Sequence, residues 1–145
     1  MHFCHKRALH PDPELSIYNN KIPIVQQTKF LGLIFDNKLT FKPHIQYLKT
    51  KSQRALNILK VVSHYDWGAD RKTLLMLYRS LVRSKLDYGC FVYGSARSTY
   101  IQSLDPIHNQ ALRICLGAFR TSPAESLSVE AIEAPLAFRR DKLAI

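Results

Sequence analysis

The residues of this chain that could do chemistry are its cations. Between Asp36 and Asp66 there is no acidic residue, while Lys38, Lys42, Lys49, Lys51, Arg54 and Lys60 all fall inside. Lys72, Arg79 and Arg83 follow at spacings of seven and four, which stacks them along one side of a helix. A run of cations without local carboxylates is the footprint of a phosphate-facing surface. The net charge of +10, from 21 basic against 11 acidic residues, makes polyanions the first partners to consider.

Catalytic chemistry is harder to find. Phosphoryl transfer by two metals needs carboxylates that hold them close together, and the sequence contains no Asp-Asp pair. Asp36, Asp66, Asp70, Asp87 and Asp105 stand singly at expected turns or caps. Phosphate-cradling glycine loops and the H-E-x-x-H and G-x-S-x-G signatures are also missing. No catalytic residue is therefore expected. His2, Cys4, His5 and His10 could be drawn as a metal site, but no second half with ligand spacing follows, so none is assigned. Cys4, Cys90 and Cys115 are odd in number and widely spaced, which suits a reducing, intracellular setting but does not divide nucleus from cytoplasm. No apolar run approaches the roughly 20 residues of a membrane span, so a membrane is not an expected partner.

These cations must be carried by elements, and the hydrophobic period changes along the chain. Residues 1 to about 39 read as short strands. Leu15–Tyr18 and Ile22–Val25 flank an Asn-Asn-Lys turn, and Thr28–Phe35 is the strongest strand, with Gly32 as a bulge or a close approach. From about Thr40 to the end the period is helical. A helix opens near Pro43 with Ile45, Leu48, Ala55, Leu56, Leu59 and Val62 on one arc. Asp70 caps a second helix, with Leu74, Leu75, Tyr78, Leu81 and Val82 inward and Lys72, Arg79 and Arg83 on the solvated side. Gly89–Gly94 reads as a tight link. A third helix spans about Ser98–Leu116, interrupted at Pro106 with Asp105 as cap, and places His108 in the core. Further helices start near Pro123 and Pro135. The expected class is α+β, mostly α: strands over 1–39, then a helical bundle over 40–145 whose apolar faces close their own core.

The stretch Lys29-Phe30-Leu31-Gly32-Leu33-Ile34-Phe35-Asp36 resembles the F-L-G strand that follows the palm in reverse transcriptases of non-LTR, LINE-type, jockey-like retrotransposons. Trp67–Asp70, Leu77–Gly89, Val92–Ala96, Leu104–Arg113 and Gly117–Pro123 are similar, in order, to segments of that family's thumb, and His2–Cys4 to the strand after its Asp-Asp hairpin. The resemblance implies a trailing palm edge with a thumb-like bundle, from an RNA-directed DNA polymerase. It implies that Phe30, Leu31 and Gly32 form the primer grip. Lys42, Lys49, Lys60, Lys72, Arg79 and Arg83 would then meet phosphates of an RNA/DNA template–primer duplex. The full family enzyme uses magnesium, whereas this stretch implies no cofactor of its own. Its expected protein partners are the upstream palm and fingers of the same polyprotein. Two other readings stay open: a free-standing basic helical module for nucleic acid, and a relic of a transposable element without function.

Overall fold

In the computed structural model, which describes residues 1–3 and 14–144, helix α1 (Lys42–Val62) organises everything else. Pro43 sits in its first turn, where the missing N–H costs no hydrogen bond. Its inward arc holds Ile45, Leu48, Ala55, Leu56 and Leu59, all buried, together with the polar His44 and Ser52. Helix α2 (Arg71–Tyr78) is capped by Asp70, whose carboxylate accepts the Lys72 backbone N–H at 3.1 Å. It continues through one π turn over Arg79–Arg83 into α3 (Ser84–Asp87). The expected link at Gly89–Gly94 is instead a short helix, α4 (Cys90–Tyr93), with Cys90 and Tyr93 buried. There the aromatic side chain fills the core and its hydroxyl donates to the Leu86 carbonyl.

The third predicted helix is two: α5 (Ser98–Gln102) and α6 (Asp105–Leu116). The break falls just before Pro106, but Asp105 is the first residue of α6 and not its cap, which is Leu104. Gly117 ends α6, and α7 (Ala124–Ala131) and α8 (Leu136–Leu143) complete the bundle. Leu104 and, from α6, Ile107, Ala111, Leu112 and Cys115 close over α1 and α2 in one apolar core. His108 lies within it, as expected, with Nδ1 hydrogen-bonded to the Tyr78 hydroxyl at 2.6 Å.

The strand region differs more. β1 (Ser16–Ile17) and β2 (Asn20–Lys21) form a minimal hairpin around Tyr18 and Asn19. The predicted single strand Thr28–Phe35 is a second hairpin, β3 (Gln27–Phe30) and β4 (Leu33–Asp36), in antiparallel register with Phe30 opposite Leu33. Leu31 and Gly32 form its turn with φ of 46° and 82°. Two positive angles are what a tight hairpin turn demands, so Gly32 marks a reversal and not a bulge. The architecture remains α+β and mostly α. Cys4, His5 and His10 lie outside the described residues.

The hairpin is tied to the helices on both sides of residue 40. Asp36 is buried, and its carboxylate accepts from the Thr40 backbone N–H (3.0 Å), the Thr40 hydroxyl (2.9 Å) and the Phe41 N–H (2.8 Å). Burial works against its ionisation, but those three donors outweigh it and hold the carboxyl below the usual range. They also fix the turn in which Leu39 and Phe41 take left-handed backbone. Leu33 packs on Gly89, where φ is +69° and an added Cβ would lie 2.7 Å from Leu33 Cδ2. Gly89→Ala should therefore cost about 2 kcal/mol, combining left-handed strain with displacement of Leu33. Urea unfolding of the two proteins measures this, and an unchanged midpoint would contradict the packing.

Candidate nucleic-acid interface

Three elements meet in a cleft of about 330 Å³. The β3–β4 hairpin brings Lys29, Leu31 and Gly32; α1 brings His44, Tyr47, Leu48 and Lys51; α3 and the residue after it bring Ser84, Lys85 and Tyr88. Tyr88 fixes the arrangement, donating its hydroxyl to the Leu31 carbonyl at 2.7 Å while its ring lies against Gly32. Lys29 and Lys51 reach the Tyr47 ring from two elements, with ammonium-to-centroid distances of 5.4 and 5.5 Å. None of the described residues lining the cleft is acidic.

The electrostatics follow from that composition. Hydrogen bonding to Lys51, then the charges of Lys29 and Lys51, draw the Tyr47 hydroxyl below its ordinary pKa. Partial burial, then the neighbouring Lys51 charge, pull the Lys85 ammonium down. The Tyr47 shift, and the Lys51 part of the Lys85 shift, report surplus positive potential that an anion would relieve. At the back of the cleft His44 is buried and accepts the Ile34 backbone N–H on Nδ1 at 3.3 Å. Burial lowers its pKa, so the neutral ring carries its proton on Nε2, where no described residue accepts it. Three ammonium groups beside an aromatic wall can hold a phosphate.

The residues singled out from sequence are dispersed around this cleft. Leu31 and Gly32 line it at the hairpin tip, where Phe30 and Leu31 are 62% and 73% exposed. Lys42, Lys49 and Lys60 are exposed on α1, but at about 100° per residue they fall on nearly the opposite flank from Lys51. Lys42 instead lies over the Tyr100 ring at 5.9 Å. Lys72 is exposed on α2. Arg79, half exposed, and Arg83, mostly covered, are both ion-paired and are not free cations of a solvated stripe. Both bind the buried Glu133, Arg79 Nε at 2.6 Å and Arg83 Nη1 at 2.5 Å, and Arg83 also lies 3.5 Å from Asp87. The π turn brings two arginines four residues apart onto one carboxylate from beyond α7. Sequence reading passed over Lys29, Tyr47, Lys85 and Tyr88. Lys51 carried a signal, its place in the acid-free run beside Tyr47 at helical spacing.

Comparison with known proteins adds the context. Over 108 residues, or 70% of the chain, it is 28% identical to a probable RNA-directed DNA polymerase from transposon X-element of Drosophila melanogaster. It is 29% identical over 110 residues, 73% of the chain, to the RNA-directed DNA polymerase from mobile element jockey of the same species. A Pol polyprotein from type-1 retrotransposable element R1 of Nasonia vitripennis matches 76% of the chain at 28% identity. The chain is related to the reverse transcriptases of non-LTR retrotransposons. It spans 11% of the X-element protein, 33% of the Nasonia polyprotein and 12% of the jockey polymerase, so the match is to part of a reverse transcriptase. No family model and no solved structure matches it. Among the described residues no helix is long and apolar enough to cross a membrane.

Proposed function

We propose that this chain is the part of a retrotransposon RNA-directed DNA polymerase that holds the template–primer duplex, and that it supplies none of the carboxylates that would hold catalytic metals. The lysine cleft beside the hairpin tip carries the reading. Lysine ammonium groups act on phosphates as point charges without fixed geometry, which suits backbone contact that ignores base sequence. The hairpin tip, with Phe30 and Leu31 exposed beside the cleft, offers the apolar surface a primer end would meet. Leu15, Ile17, Tyr18, Ile22, Ile24 and Val25 are exposed as well, which supports a neighbouring palm as the protein partner.

Binding of a labelled RNA/DNA hybrid, followed by fluorescence anisotropy over a salt series, tests this. The six cations singled out from sequence, acting together, would give a slope of log K against log salt of roughly −4 to −5, whereas the three lysines of the cleft give about −2 to −3. The smaller slope is expected, because Lys42, Lys49 and Lys60 face away from the cleft. Lys29→Glu with Lys51→Glu should weaken binding about tenfold or more at low salt. Both are exposed, so the circular dichroism spectrum should not change. Equal affinity in the doubly reversed protein would refute the assignment of the cleft.

A further inference from the structure

A second groove, of about 990 Å³, lies at the other end of α1. The α1 residues of the lysine cleft, His44 to Lys51, precede Ser63 by 12 to 19 residues, which at 1.5 Å each is roughly 18 to 28 Å along the helix. Ser63, which closes α1, forms one wall, and Asn109, Gln110 and Arg113 of α6 form the other. Arg120 lines it from the loop after α6, and none of the described lining residues is acidic. Arg113 is braced from one side by donating Nη2 to the Ser122 carbonyl at 3.0 Å. Its Nε is buried and finds no acceptor among the described residues. A guanidinium that lines a groove where no described carboxylate competes suits an anionic acceptor.

The residues that follow Ser63 in the chain narrow the choice of anion. The loop that leaves Ser63 carries Tyr65, 99% exposed, and Trp67, 64% exposed. The indole is held by His64, stacked at 5.2 Å and 14°. Arginines for phosphate, side-chain amides that donate and accept toward base edges, and exposed rings for stacking are the combination that grips unpaired nucleotides. A duplex, with its bases already stacked, could use only the arginines.

We propose that this groove binds single-stranded nucleic acid, separately from the hybrid-binding cleft, with Arg113 and Arg120 on phosphates, Asn109 and Gln110 at base edges and Trp67 beneath a base. Trp67 is the single tryptophan of the chain, so its fluorescence reports directly. Titration of the full chain with an unlabelled oligothymidylate should quench that emission. Arg120→Glu with Gln110→Glu should weaken oligothymidylate binding about tenfold while leaving hybrid affinity in place. Lys29→Glu with Lys51→Glu should leave quenching intact. Retained single-strand affinity in the first variant, an unresponsive Trp67, or loss of both ligands in both variants would each overturn the second site. Loss of hybrid binding alone in the lysine variant leaves it standing and bears only on the first.

Discussion

Glu133→Ala should destabilise the protein by about 2–3 kcal/mol, because it leaves two arginines facing a site from which their counter-ion is gone. The side chain of Glu133 is 2% exposed and its two oxygens are divided between Arg79 and Arg83. Removing one partner of a fully buried pair costs roughly 3–5 kcal/mol, and the lower figure here reflects Arg79, whose side chain is 49% exposed and can turn to water. Arg83 has less freedom at 22%, with Asp87 shared between it and Arg139, whose Nη2 approaches Asp87 at 2.6 Å. Urea unfolding should show a lowered midpoint, and Glu133→Gln should recover only part of it, since an amide keeps the shape but not the charge. Arg79→Glu or Arg83→Glu should destabilise more than Glu133→Ala, as like charges would then meet. If either arginine reversal leaves stability intact and weakens hybrid binding, the cluster contacts phosphates after all.

That cluster shows where sequence reading stops. The spacing of Arg79 and Arg83 fixes their common side of the chain, and it was correctly a helical one. What lies opposite them is set by Glu133, 54 and 50 residues away, and no local pattern links the two. The helical half was otherwise legible, because burial follows a period that composition displays: the inward arcs of α1 and α6 are nearly those expected. Asp36, Asp70 and Gly117 announced their boundaries by chemistry that acts within a few residues. The second hairpin was missed for the opposite reason. The run from Phe30 to Phe35, apolar but for Gly32, has no period to betray a reversal, and the turn at Leu31–Gly32 places a leucine where asparagine or glycine would have signalled one. The cleft is a long-range product too, since Lys29, Lys51 and Lys85 converge only after the hairpin docks through Tyr88 and Leu33. We propose on that basis that β3–β4 is one unit with the helices, and that a division at residues 39 and 40 would cut the Asp36 cap from the helix it starts.

Acid should destabilise this protein before most of its carboxylates titrate, and His108 sets the window. Burial first, helped by the Arg83 charge and opposed by that of Glu133, takes its pKa from 6.5 down to about 4. The unfolded chain accepts a proton near 6.5 that the folded core refuses until about 4, so stability is complete above 6.5 and declines as pH falls between those values. Linkage puts the loss at roughly 2 kcal/mol by pH 5 and about 3 kcal/mol by pH 4, where it levels off. His44, also lowered by burial, adds loss in the same direction. Asp36, held below 3.8, adds only at lower pH. Asp105 opposes them: burial raises its carboxyl above 3.8, so protonating it on acidification favours the folded state. Urea midpoints measured from pH 7 to pH 4 should therefore fall steeply for the parent. His108→Gln, whose amide can still meet the Tyr78 hydroxyl, should start less stable at pH 7 and show a flatter profile. Parallel profiles for the two proteins would mean that His108 does not govern the acid response.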